Sequence, residues 1–110
     1  MVLTCKMGTL SKKQIAHTSR KARLILYAES LGYAMKETYS LRCSDCKVGH
    51  PRSLHKEALA SDFVIITGGI VDPVSEKKHA KLHDFWDMLG GSKRIKKDLG
   101  HYSTAYRGMR

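Results

Sequence analysis

At 110 residues the chain has room for one domain with one modest core, and none for a catalytic domain joined to a separate binding domain. Its 42% hydrophobic and 27% charged residues exclude collagen-like, low-complexity and disordered classes, and its most apolar stretch, Phe63 to Val71, falls short of the ~20 residues of a spanning helix. Twenty Lys and Arg against ten Asp and Glu give a net charge of +10, a field that concentrates polyanions such as nucleic acid, anionic lipid or bacterial wall polymers. Three cysteines, Cys5, Cys43 and Cys46, cannot all pair with one another, which argues against a secreted disulfide framework. Met1 to Leu10 lacks a charged start followed by an apolar run, so cytoplasmic synthesis without a signal peptide is expected.

In chain order, Ser11 can cap a helix, with Gln14 three residues later completing a capping box. From Lys12 to about Leu31, Ile15, Ala22, Ile25 and Leu26 recur at helical spacing, and Gly32 fits the residue just past the end. Lys12, Lys13, Arg20, Lys21 and Arg23 fall mostly off that stripe, so this helix is expected to pack on a sheet with its basic side in water. Tyr33 to Tyr39 reads as a short strand and Ser40 to Ser53 as a polar loop. Ala60 to Thr67 is a strongly apolar strand, and its consecutive Phe63, Val64, Ile65 and Ile66 predict cover on both faces. Gly68-Gly69 allows a hairpin turn into Ile70-Val71, and Pro73 ends that strand. Ser75 to Leu89 reads as a second helix with Leu82, Phe85, Trp86 and Leu89 on its core side, closed by Gly90-Gly91. A basic loop, Ser92 to Gly100, leads to a last strand, His101 to Tyr106. The mixed order gives an α+β fold, a small antiparallel sheet packed with helices.

The segment richest in metal-ligand residue types is Ser53 to Phe63. His55 and Asp62 are an odd seven residues apart, so on one uninterrupted strand they would point to opposite faces. They converge only if His55 sits on a turn leading into the strand. Asp62 is a carboxylate opening an apolar strand, and such a group needs a partner, which a cation would supply.

Ser53, His55, Ala58, Ala60 and Asp62 form a Ser-x-His-x-x-(Gly or Ala)-x-Ala-x-Asp pattern before a hydrophobic strand. This resembles the metal motif of the zinc peptidases that cut bacterial peptidoglycan, a superfamily of D-Ala-D-Ala carboxypeptidases and dipeptidases and of phage L-alanyl-D-glutamate endopeptidases (endolysins). Trp86 to Gly91 is similar to their Trp-x-x-Leu-Gly-Gly helix end, and Asp98 to His101 to their Asp-x-x-His element. The resemblance runs from about Thr38 to Arg110, with Ala58 where glycine is frequent. It implies a hedgehog/DD-peptidase-like fold and zinc held by His55, Asp62 and His101, with water at the fourth position. It implies Asp98 as general base, Arg42 or Arg52 as the oxyanion arginine (Arg42 favoured), and Ser53 as a site or substrate contact. Implied partners are a peptidoglycan stem peptide and anionic wall polymers, reached after holin-type release or on a virion. A monomer is expected, with no specific nucleic acid and no membrane span.

Other readings compete for some of these residues. Cys43, Cys46, His50 and His55 could bind a structural zinc in a basic nucleic-acid-binding protein, although a reduced thiol pair is the simpler reading of the two cysteines. His79 and His83, four apart on the second helix, read as surface residues, and Trp86, Phe85 and Leu89 as core. The run from Lys93 to Lys97 reads as a solvated loop able to hold anionic polymers or stem-peptide carboxylates.

Overall fold

The structure, a computed structural model, describes residues 8–38 and 54–106, without the side chains of His55 and Lys56. Arg42, Arg52, Ser53, Cys5, Cys43, Cys46, His50 and the expected 40–53 loop lie outside the described residues. Helix α1 spans Thr9–Ser30, strand β1 Ala34–Glu37, a single 3₁₀ turn Leu54–Glu57 and strand β2 Ala60–Thr67. Strand β3 (Ile70–Val71), helix α2 (Glu76–Met88) and strand β4 (His101–Ser103) complete an α+β arrangement with an antiparallel sheet. No helix among the described residues is long and apolar enough to cross a membrane.

The first helix starts earlier than its sequence predicts. Gly8, in extended conformation, takes the capping position and accepts from the Lys12 N–H, so Ser11 lies inside the helix. Gln14 does not close a capping box; its side-chain amide donates to the Glu57 carbonyl at 2.8 Å and ties α1 to the 3₁₀ turn. The carboxyl end follows the predicted pattern. Gly32 has φ +79°, the Tyr33 N–H reaches the Ala28 carbonyl and the Gly32 N–H reaches Glu29, a Schellman closure.

The buried face of α1 is only in part the one its apolar spacing predicts: Ile25 packs against the core, but Ile15, Ala22 and Leu26 do not. His17, Leu24 and Ala28 are buried, while Ile15 and Leu26 are 55% and 65% exposed and Ala22 is also exposed. Each of Ile15, Ala22 and Leu26 is two residues from its buried counterpart, about 200° away round the helix. Polar anchors turn the helix. The two ring nitrogens of His17 lie 3.0 Å from the Thr104 and Ser61 hydroxyls. Arg20, expected in water, instead donates to the Leu89 carbonyl and the Thr104 hydroxyl, both at 3.0 Å.

Strand β2 is central. It pairs with β1 along one edge, and on the other with β4 over Ala60–Asp62 and with β3 over Ile66–Thr67. Cover on both faces is corrected to one: Ser61, Phe63 and Ile65 are buried, whereas Asp62, Val64 and Ile66 are half-exposed. Both helices lie over the first set, where Leu24, Ala28, Leu82, Trp86 and Tyr102 complete the core. Burying side chains of this size contributes ~1.5–3 kcal/mol each. Leu54, Leu59 and Ala60 make a second cluster with Leu10 and Tyr106. Gly68 and Gly69, both with positive φ, form the predicted two-residue hairpin turn. Gly90, with φ +90°, closes α2, with its N–H on the Asp87 carbonyl and the Gly91 N–H on the Trp86 carbonyl, and a Cβ at Gly91 would run into the Trp86 indole. Strand β4 runs to Ser103, short of the expected Tyr106; the Thr104 N–H on the Leu59 carbonyl keeps the register for one position more.

Candidate metal centre

Two adjacent strand ends and one turn build the site. Asp62 of β2 faces His101 of β4 across the ladder. The flanking pair, Phe63 and Gly100, is hydrogen-bonded, with the Phe63 N–H on the Gly100 carbonyl at 2.8 Å. Asp62 and His101 therefore occupy a non-hydrogen-bonded position, where facing side chains stand closest. Their side chains meet, with His101 Nδ1 3.3 Å from Asp62 Oδ1.

Asp98 is delivered by the turn that precedes β4. The Asp98 N–H binds the Ile95 carbonyl at 2.9 Å, and the Asp98 carbonyl accepts from the His101 N–H at 3.2 Å. Gly100 makes this close approach possible, since a Cβ there would lie 2.5 Å from the Phe63 carbonyl oxygen. As a result one ligand atom from each of Asp62, Asp98 and His101 lies within 4.8 Å of the others, and the group could hold a metal ion. An imidazole nitrogen with carboxylate oxygens suits zinc and also harder divalent ions. His101 is buried, Asp62 half-buried and Asp98 exposed, so the group opens to solvent on the Asp98 side.

The remaining sequence candidates divide. The backbone of His55 lies in the 3₁₀ turn Leu54–Glu57, two residues before β2, which is the turn that an odd spacing from Asp62 requires; its side chain lies outside the described residues. Ala58 has φ +56°, a left-handed conformation that favours glycine. In the basic loop, Arg94 is not simply solvated but pairs with Asp84 of α2. Lys96 and Lys97 line a cleft of about 530 Å³ together with Asp62, Val64, His79 and Asp98.

The sequence reading misplaces two histidines. His79 and His83 are buried, at 5% and 0% exposure, not on the surface. His83 Nε2 donates to the Leu99 carbonyl at 2.7 Å and its ring stacks on Tyr102 at 4.1 Å, so it braces the Asp98 turn from behind. Burial pushes its pKa down to about 4, against the pull of the Leu99 carbonyl. His79 Nδ1 lies 2.8 Å from the Tyr102 hydroxyl. Burial lowers its pKa also, opposed by the nearby Asp98 charge. The signal was present in the sequence: positions 79, 82, 83 and 86 form one helical stripe, and Leu82 and Trp86 already mark it as the core side.

Comparison of the chain with known protein families, curated proteins and solved structures found no match.

Proposed function

We propose that this chain is a zinc metallopeptidase that hydrolyses an amide bond in bacterial peptidoglycan stem peptides. The L-alanyl-D-glutamate bond is the first choice and D-Ala-D-Ala the next. The observation that carries the reading is the convergence of Asp62, Asp98 and His101, up to 39 positions apart in the chain, with Asp62 and Asp98 on the lining of one cleft. Those residues are the second half of the Ser-x-His…Asp pattern and the whole of the Asp-x-x-His element.

His55, Asp62 and His101 would hold the zinc, which supplies Lewis acidity and a more acidic water when bound. Asp98 takes a proton from the attacking water at a carboxylate oxygen. The water oxygen bonds to the peptide carbonyl carbon, the C–N bond breaks, and Asp98 returns the proton to the leaving amine. Its exposure suits a base that must meet both water and amine. Lys96 and Lys97 give the cleft mouth a positive potential toward stem-peptide carboxylates, and the +10 net charge draws the protein to anionic wall polymers. Holin-type release or virion delivery would bring it there.

The test is metal content by elemental analysis, followed by release of new amino groups from purified peptidoglycan. Wild type should carry one zinc, and H101A should lose both zinc and activity. D98A should keep the zinc and lose turnover; loss of the zinc in D98A would make Asp98 a ligand instead of the base. Zinc kept in H101A but lost in C43S would move the metal to Cys43, Cys46, His50 and His55 and favour the nucleic-acid reading.

A further inference from the structure

We propose that His79 is a further catalytic residue of this cleft, its Nε2–H donating to the peptide carbonyl oxygen as that oxygen gains charge; this rests on the peptidase reading above. Three observations assign it. His79 lines the same cleft as Asp62 and Asp98 although it is only 5% exposed. Its Nδ1 is turned inward onto the Tyr102 hydroxyl, so the other edge of the ring, which carries Nε2, is the edge left to the cleft. Asp98 is near enough for its charge to act on the imidazole.

The tautomer follows from hydrogen-bond accounting. Tyr102 is fully buried, and a phenol hydroxyl keeps its proton at neutral pH. A buried O–H without an acceptor is costly. Among the described residues His79 Nδ1 is the group the hydroxyl meets, so the hydroxyl donates and Nδ1 accepts. The single proton of the uncharged ring is then on Nε2, facing the cleft. Burial keeps the imidazole uncharged at neutral pH.

Such a donor is fixed before the reaction begins. Tyr102 is stacked on His83 at 4.1 Å and set edge-on to Trp86 and Phe63, so the hydroxyl that orients His79 is itself held in the core. A prearranged uncharged imidazole can stabilise a developing oxyanion without reorganisation at the moment of reaction. A histidine present only to fill the core has no need to leave one nitrogen to the cleft.

The experiment uses the full chain loaded with zinc. Ring ¹⁵N NMR of His79 should report the Nε2–H tautomer, and Y102F should disturb that assignment. With a stem-peptide substrate, H79A should lose about 10²–10³-fold in kcat, the effect of removing one oxyanion donor, with zinc content unchanged and KM little altered. H79Q, whose amide N–H reaches near the Nε2 position, should recover most of that loss. An Nδ1–H tautomer, an H79A variant as active as wild type, or loss of zinc in H79Q would overturn the assignment while leaving the peptidase reading intact. A zinc-loaded wild type that cleaves no stem peptide would bring down the peptidase reading, and this assignment with it.

Discussion

The two ends of β2 share one strand and differ in every other respect. At its amino-terminal end, Ala60–Asp62 pairs with β4, whose three residues are all buried. There Ser61 is held by His17, Trp86 donates to the Ser103 carbonyl, and His83 grips the Leu99 carbonyl. At its other end, Ile66 and Thr67 pair with a two-residue strand whose Ile70 and Val71 are 66% and 55% exposed. The candidate metal group sits at the first end. Ligand atoms must keep their spacing without a metal to hold them, and only the end fixed from α1, α2 and the Asp98 turn can do that. The hairpin end needs only to turn the chain.

Substitutions can break or sharpen this contrast. The largest effect is expected at Gly100, where any Cβ meets the Phe63 carbonyl. G100A should force β4 away from β2, destabilise by about 1–3 kcal/mol as overpacking does, and lower metal affinity, read by urea unfolding and metal titration. A clear loss of stability with unchanged metal affinity would show that the Asp62–His101 register does not depend on this contact.

The next effect depends on pH. The folded-state pKa of His83 is about 4 against an ordinary 6.5, so the unfolded chain binds the extra proton between those values. Stability should therefore be full above about pH 6.5 and fall as pH drops toward 4, with His79 acting in the same direction. Urea midpoints at pH 7, 5.5 and 4.5 should show a shallower pH slope for H83Q than for wild type. Equal slopes would mean that His83 is not buried uncharged.

Smaller again is the gain expected at Ala58, whose φ of +56° strains an L-residue. A58G should stabilise the chain by about 0.5–1 kcal/mol, the relief of the left-handed conformation less the greater freedom of glycine when unfolded. A loss of stability would place the turn before β2 outside the left-handed region. The smallest effect belongs to the hairpin: I70T should change stability by under ~0.5 kcal/mol, because little apolar surface is lost from cover and threonine keeps the β-branch. A larger loss would mean that the hairpin tip is covered in solution.

Elements whose signals are local were legible. The β2–β3 hairpin follows from Gly68-Gly69 between apolar runs, the end of α1 from Gly32, and the end of α2 from Gly90-Gly91, because each is dictated by the backbone freedom of one or two residues. The α+β class followed from the order of those elements. Asp62, Asp98 and His101 were legible through motif spacing, and their convergence needed only an antiparallel β2–β4 pairing. The facing of α1 was not. Apolar counting gives weight to Ile15, Ala22, Ile25 and Leu26, yet of these only Ile25 packs on the core, because the helix is turned to let His17 and Arg20 satisfy buried hydroxyls and a carbonyl. Polar burial depends on partners 44 to 87 positions away, and no local pattern encodes them.

The sequence by itself therefore determined the fold class, the turns and the residue types that could bind a metal, since these depend on backbone conformation and short-range spacing. Only the tertiary structure decided which side of α1 is buried, that β2 has one covered face, that His83 braces the Asp98 turn and that His79 meets the Tyr102 hydroxyl. Those outcomes depend on which buried polar atoms find partners. A hydrogen bond between distant residues is settled by packing, after the local choices have been made.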